Sequence, residues 1–253
     1  MKIDFSKYSS VRIGGIFEVE EIEHMIEFDG VIIGGANNIL ISPNPPKMGI
    51  LSNKFNYIKL ENGVLKIGAK TPSSKIYKFA KEHNLGGFEF VKKIPGTLGG
   101  MITMNAGVKE YEISNQLLEV VTSKGIKKSN ECGFGYRCSS IDGVIYEASF
   151  EITKEYDDEL SSHLNQKRSN QPKGASFGSC FANPKNDHAG RLIEQAGLKG
   201  YRIGGCGFSE LHANFLINYG NGSFSDAMGL INLAKERVKE IFDIELRCEV
   251  VIL

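Results

Sequence analysis

Apolar positions in this chain recur with two periods, and the period changes often enough to imply many short elements. Ile22, Met25 and Ile26 fall at helical spacing within an acidic patch. Val31-Ile32-Ile33 and Ile39-Leu40-Ile41 are apolar triplets on either side of Gly34-Gly35-Ala36-Asn37-Asn38, which predicts two buried strands joined by a glycine-containing turn. Residues 57–60 and 64–67 flank Asn62-Gly63, a dipeptide that favours a tight hairpin. Thr71 before Pro72 predicts a helix start; Ile76, Phe79 and Ala80 form its stripe, and Gly86-Gly87 ends it. Residues 117–126 read as a second hairpin turning at Lys124-Gly125, and residues 143–152 as a further strand.

The chain turns polar over 154–171, which predicts a linker or a surface helix. A helix is expected at 188–196, closed by Gly197. A longer one is expected from a Ser225-Asp226 cap, with Leu230, Ile231, Ala234, Val238, Ile241 and Phe242 on one side. Residues 244–253 read as a last strand carrying Glu249. Strands mixed with interspersed helices predict an α+β fold. A dinucleotide-binding Rossmann unit is disfavoured, because a second apolar strand follows Gly34-Gly35 where a helix should begin.

Composition narrows the function. Thirty basic and thirty acidic side chains give a formal charge of zero, which argues against a nucleic-acid or anionic-membrane surface. The five cysteines (Cys132, Cys138, Cys180, Cys206, Cys248) are odd in number and lack metal-finger spacing. No apolar leader or long apolar run is present, so a cytoplasmic protein with reduced thiols and no metal is the expectation. A monomer is the simplest expectation for its assembly.

The segment Ile94-Pro95-Gly96-Thr97-Leu98-Gly99-Gly100-Met101-Ile102-Thr103-Met104-Asn105-Ala106-Gly107 is the richest in chemistry. Its glycines permit close approach to the backbone, and successive amides in such a loop can cradle phosphate oxygens. On local sequence alone a tight turn between buried elements is the favoured reading, since glycine-rich turns are common.

Taken together, separated motifs resemble one family. Residues 34–40, 94–107, Phe134-Gly135-Tyr136-Arg137-Cys138-Ser139, 178–184, Gly197-Leu198-Lys199-Gly200-Tyr201, 209–218 and Cys248-Glu249-Val250 occur in the order seen in UDP-N-acetylenolpyruvoylglucosamine reductases. The short stretch around Ser209-Glu210-Leu211-His212-Ala213-Asn214-Phe215 is similar to the shorter class, which lacks an inserted tyrosine loop. The resemblance implies a two-part FAD-binding domain of the vanillyl-alcohol oxidase-like type plus an α+β substrate-binding domain. It implies FAD-binding subdomains at 1–54 and 55–153, a substrate-binding domain at 154–242 and a C-terminal strand at 243–253. It also implies non-covalent FAD, NADPH as reductant and a sugar-nucleotide substrate.

Residue by residue, the resemblance assigns Arg137 to the substrate carboxylate, Ser179 to proton donation and Glu249 to polarising the substrate carboxylate or acting as an acid. Locally these would read as a surface arginine, a turn serine and an edge-strand charge. Cys180 is a chemical rival to Ser179 because a thiol is the stronger acid. Flavin contacts fall on Gly34, Gly35, Ala36, Asn37, Asn38, Ile94, Pro95, Gly96, Thr97, Gly99, Gly100, Asn105, Ala106 and Gly107. Substrate contacts fall on Tyr136, Asn183 and His212. Two departures stand out: Ala36-Asn37 replaces the family's usual Gly-Ser, and Ala182 replaces a lysine, for which Lys173, Arg168 or Lys199 are candidate substitutes. The rival readings are a sugar or alcohol oxidase on the same scaffold and a nucleotide-binding protein without catalysis. Such oxidases often tether FAD through histidine, and neither 34–40 nor 94–107 contains one.

Overall fold

The computed structural model describes residues 1–167 and 171–253. Its contacts divide the chain into two compact units. The first holds Met1, 19–35 and 47–169; the second holds 2–18, 36–46 and 170–253. The borders expected at 54 and 153 both fall inside the first unit, and that at 242 falls inside the second.

The first unit is built on a five-stranded antiparallel sheet, in the order Gly125–Lys128, Leu117–Thr122, Ile145–Glu151, Val64–Gly68, Ile58–Glu61. The first hairpin turns at Asn62-Gly63 as expected, with Asn62 at φ 51°. The second turns one residue earlier than expected, at Ser123-Lys124, because Thr122 pairs with Gly125, which opens the returning strand at φ 112°. The central strands bury Val120, Ala148, Phe150, Leu65 and Ile67, and Phe88 meets Phe150 edge-to-face at 5.3 Å. Met48–Leu51 pairs in parallel with residues 19–22 and with Val31–Ile32. Ile22 therefore ends a strand, and no helix follows: Met25 and Ile26 are exposed. Three apolar residues at helical spacing were too few to nucleate a helix against sheet pairing.

The helix expected from Thr71 runs Ser73–Glu82, one residue later, with Pro72 as the cap residue. The Thr71 hydroxyl is drawn away to the Tyr57 carbonyl at 3.0 Å. Ile76 and Ala80 are buried, while Phe79 is half-buried and stacks on His83. The polar stretch after 154 forms the helix Asp158–Lys167; Arg168 lies outside the described residues.

The second unit carries a four-stranded antiparallel sheet, in the order Ala175–Ser179, Phe215–Asn218, Cys206–Phe208, Arg202–Ile203. Its core packs the sheet with helices Ala189–Gln195 and Phe224–Phe242 through Leu192, Ile193, Phe208, Leu216, Leu230, Ile231 and Ala234. The long helix is capped by Ser223, not Ser225: Ser223 and Asp226 form a reciprocal capping box. Ile241 is 55% exposed and lies off the buried stripe. The C-terminal segment is less regular than a single strand. Val251–Ile252 pairs in parallel with Ile39–Leu40, and an isolated antiparallel bridge joins Cys248 to Phe181. Among the described residues no helix is long and apolar enough to cross a membrane. The observed mixture of sheets and helices is α+β.

Candidate active site

In the first unit, the expected loop at 94–107 contains a short helix, Leu98–Thr103. Leu98, Met101 and Ile102 at helical spacing are all buried, and that packing overrides the low helix propensity of Gly99-Gly100. The amides of Leu98 and Gly99 are bonded to the carbonyls of Thr71 and Ala69 at 3.0 and 2.9 Å. These two amides are thus spent inside the protein. A Cβ on Gly34 would strike Thr97 Oγ1 at 2.6 Å, whereas the side of Gly100 meets only that same atom, at 3.9 Å.

Arg137 sits on a tight turn closed by reciprocal bonds between Gly135 and Cys138. It occupies the third position of that turn at φ 57°, a left-handed conformation that glycine or asparagine usually fills. Such backbone strain is characteristic of functional positions. The guanidinium is held in place: Nη2 donates to the Gly107 carbonyl at 2.8 Å and Nη1 to that of Asn105 at 3.4 Å. Glu112 lies 3.9 Å away, and the exposed Tyr136 ring sits 5.0 Å from the guanidinium carbon. Arg137 is therefore wired to the end of the 94–107 segment, which the sequence assigned to a different role.

In the second unit, Ser179 ends the strand Ala175–Ser179, just past a pairing irregularity between Ser176 and Ser179. Gly178 at φ 86° makes that irregularity possible. The chain then pairs with the C-terminal segment. Glu249 N–H donates to the Cys180 carbonyl at 2.9 Å, and Ala182 N–H to that of Arg247 at 2.9 Å. The Glu249 carbonyl in turn accepts from Asn38 Nδ2 at 2.8 Å. Main-chain pairing thus brings Ser179, Glu249 and Asn38 into one neighbourhood. Ser10 secures the remainder of that loop, bonding the Ala36 carbonyl through its amide at 3.2 Å and the Asn37 carbonyl through its hydroxyl at 3.1 Å. Ala36 is buried at φ 47°, so a methyl group occupies a left-handed position.

Asn214 had no assigned role, yet it holds this ribbon together. Its side chain accepts from Phe181 N–H at 3.0 Å and donates to the Phe181 carbonyl at 2.8 Å, while its own carbonyl accepts from Cys180 N–H. Cys180 is fully buried, and burial pushes its thiol well above the usual range. A thiol so buried is closed to a substrate, so of the pair only Ser179 remains a candidate for proton donation.

The substrate candidates are less uniform. Asn183 is exposed, and its side-chain oxygen accepts from Ala189 N–H at the start of Ala189–Gln195. His212 is half-buried; Nδ1 accepts from Asn214 N–H at 3.3 Å and the ring packs edge-on against Phe215. Burial holds its imidazole below the ordinary value, so it is a neutral hydrogen-bonding group at neutral pH. Ala182 is buried. Of the candidate replacements for a cation there, Lys199 is paired with Glu194 at 2.7 Å and Lys173 is exposed.

A flavin fits the first unit's residues on one observation in particular. Asn105 is 2% exposed, and its side-chain oxygen has no hydrogen-bond partner among the described residues. A buried acceptor of this kind requires a donor, and the N–H groups of a bound heterocycle provide one.

Comparison with known proteins agrees across the whole chain. The family description "UDP-N-acetylenolpyruvoylglucosamine reductase, C-terminal domain" matches residues 170–253. The UDP-N-acetylenolpyruvoylglucosamine reductase of Campylobacter jejuni (strain RM1221) is 51% identical over 258 residues, covering 100% of both chains. That of Helicobacter pylori (strain ATCC 700392 / 26695) is 42% identical, covering 99% of this chain and 98% of the relative. The crystal structure of the Thermus caldophilus reductase superposes with a TM-score of 0.85 at 27% identity, covering 100% of this chain and 98% of that one.

Proposed function

We propose a role for each residue of the site on one premise: the chain belongs to the UDP-N-acetylenolpyruvoylglucosamine reductase family. It is a flavin-dependent oxidoreductase that reduces the enolpyruvyl group of UDP-N-acetylglucosamine enolpyruvate to the lactyl ether of UDP-N-acetylmuramate, a step of peptidoglycan synthesis. The flavin is FAD, held without a covalent bond, and the reductant is NADPH. Bound FAD supplies hydride chemistry to the vinyl carbon. Residues 34–38, 94–97, 99, 100 and 105–107 hold it.

The protein's own task is to manage charge and a proton. Reducing the double bond at its CH2 end pushes electron density onto the carbon bearing the carboxylate. Arg137 places a fixed, planar guanidinium against that carboxylate, where the charge accumulates. Its anchoring by Gly107 and Asn105 means that little reorganisation is needed when the charge develops. Ser179 gives its hydroxyl proton to the carbon; a carbanion is basic enough to take it once the two are aligned. Glu249 steadies the carboxylate side, its backbone pinned by Cys180 and Asn38. Tyr136, Asn183 and His212 bind the remainder of the sugar nucleotide.

The observation that carries this reading is the ribbon that joins residues 36–40, 179–182 and 247–252, three stretches far apart in the chain. The test is turnover of enolpyruvyl-UDP-N-acetylglucosamine with NADPH in D2O. UDP-N-acetylmuramate carrying solvent deuterium on the carbon next to its carboxylate is the expected product. Consumption of NADPH without that product would refute the assignment.

A further inference from the structure

We infer that Glu112 is a positioning residue: it sets the direction of the Asn105 side-chain amide and steadies Arg137, and so creates the acceptor that a bound FAD must satisfy. The inference rests on the flavin reading above. It starts from the pairing of Gly107–Val108 with Tyr111–Glu112, which places Gly107 opposite Glu112. A Cβ on Gly107 would lie 2.8 Å from Glu112 Cγ and 2.9 Å from its Cα. Glycine at 107 is what lets the Glu112 side chain pass and reach Asn105.

Glu112 Oε2 accepts from Asn105 Nδ2 at 2.7 Å, and the same nitrogen is 3.2 Å from the Gly135 carbonyl. A carboxylate and a carbonyl both only accept, so the group facing them has to be the NH2 end of the amide. Rotating the amide by half a turn would set its oxygen against two acceptors at once. Oδ1 is thereby locked on the other side, buried and without a partner among the described residues. An acceptor fixed in this way is selective for an N–H donor and rejects a second acceptor. Glu112 Oε1 is 3.9 Å from Arg137 Nη1, and the same guanidinium donates to the carbonyls of Asn105 and Gly107. One carboxylate therefore organises a residue assigned to the cofactor and another assigned to the substrate.

The test is a titration of wild-type, Glu112→Ala and Glu112→Gln apoproteins with FAD, followed by flavin fluorescence, with a thermal melt of each to establish folding. Glu112→Ala frees the amide to rotate and should weaken FAD by about tenfold, the equivalent of one lost buried hydrogen bond. Glu112→Gln still offers a carbonyl oxygen to Asn105 Nδ2 and should stay within about threefold of wild type. Two results overturn the inference: a folded Glu112→Ala protein that binds FAD as tightly as wild type, or a Glu112→Gln protein as weak as Glu112→Ala. Failure of the wild-type apoprotein to take up FAD would instead overturn the flavin reading itself, and this inference with it.

Discussion

Arg137 is held by a strained turn and by contacts of its own side chain, whereas the main chain at Ser179 and Glu249 is held by strand pairing. In the first arrangement the functional group supplies its own anchor, so removing it also dismantles the contact that positions it. In the second, the backbone stays in register whatever the side chain at 179 is, because Glu249 N–H, Cys180 N–H and Asn214 make the bonds. The difference suits the two roles proposed for them. A guanidinium meeting developing charge gains from rigidity of its own head group, while a proton donor needs a small hydroxyl free to turn.

Substitutions can break this comparison, and the largest effect is expected at Ser179. Ser179→Ala should lower turnover by about 10²–10⁴-fold, the usual range for a general acid, with the melting temperature unchanged. A large drop in melting temperature would mean that the hydroxyl holds the ribbon. Next comes Arg137→Lys, for which a loss of about 10²–10³-fold is expected, because a point-like ammonium cannot reproduce the planar fork. Steady-state kinetics showing near wild-type turnover would deny the two-point contact.

Asn214→Ala sharpens the comparison from the other side. It leaves the buried N–H and C=O of Phe181 unpaired, at about 1–3 kcal/mol each. At about 2–4 °C per kcal/mol for a chain of this size, calorimetry should show a clear fall in melting temperature. The smallest effect is expected at Ala36→Gly. Relief of the left-handed backbone, about 1–2 kcal/mol, is offset by the lost buried methyl and by glycine's greater freedom when unfolded. A change in stability below about 1 kcal/mol is expected from that balance, and a shift beyond it in a denaturant titration would show that the methyl does more than fill space.

What could be read from the sequence follows the range of the interactions. The Asn62-Gly63 hairpin and the helix closed by Gly197 depend on neighbouring residues, and both appear as expected. The Ser223-to-Asp226 box is equally local, three residues apart, but an adjacent Ser225-Asp226 pair carries the same capping signal and misplaces the cap by two residues. The helix Leu98–Thr103 was hidden because two glycines argue against it and only tertiary packing argues for it. The bridge from Phe181 to Cys248 and the link from Asn38 to Glu249 had no local signal at all. Motif order pointed to Arg137, Ser179 and Glu249. The supporting residues Glu112 and Asn214 stayed out of sight, because their roles lie in bonds to distant backbone and side chains.

The most direct measurement is the flavin absorption of the purified protein under anaerobic conditions, with NADPH added first and enolpyruvyl-UDP-N-acetylglucosamine second. The account predicts that the band bleaches with NADPH and returns in full, without oxygen, when the sugar nucleotide arrives. A band that fails to bleach, or that returns only when air is admitted, would contradict it.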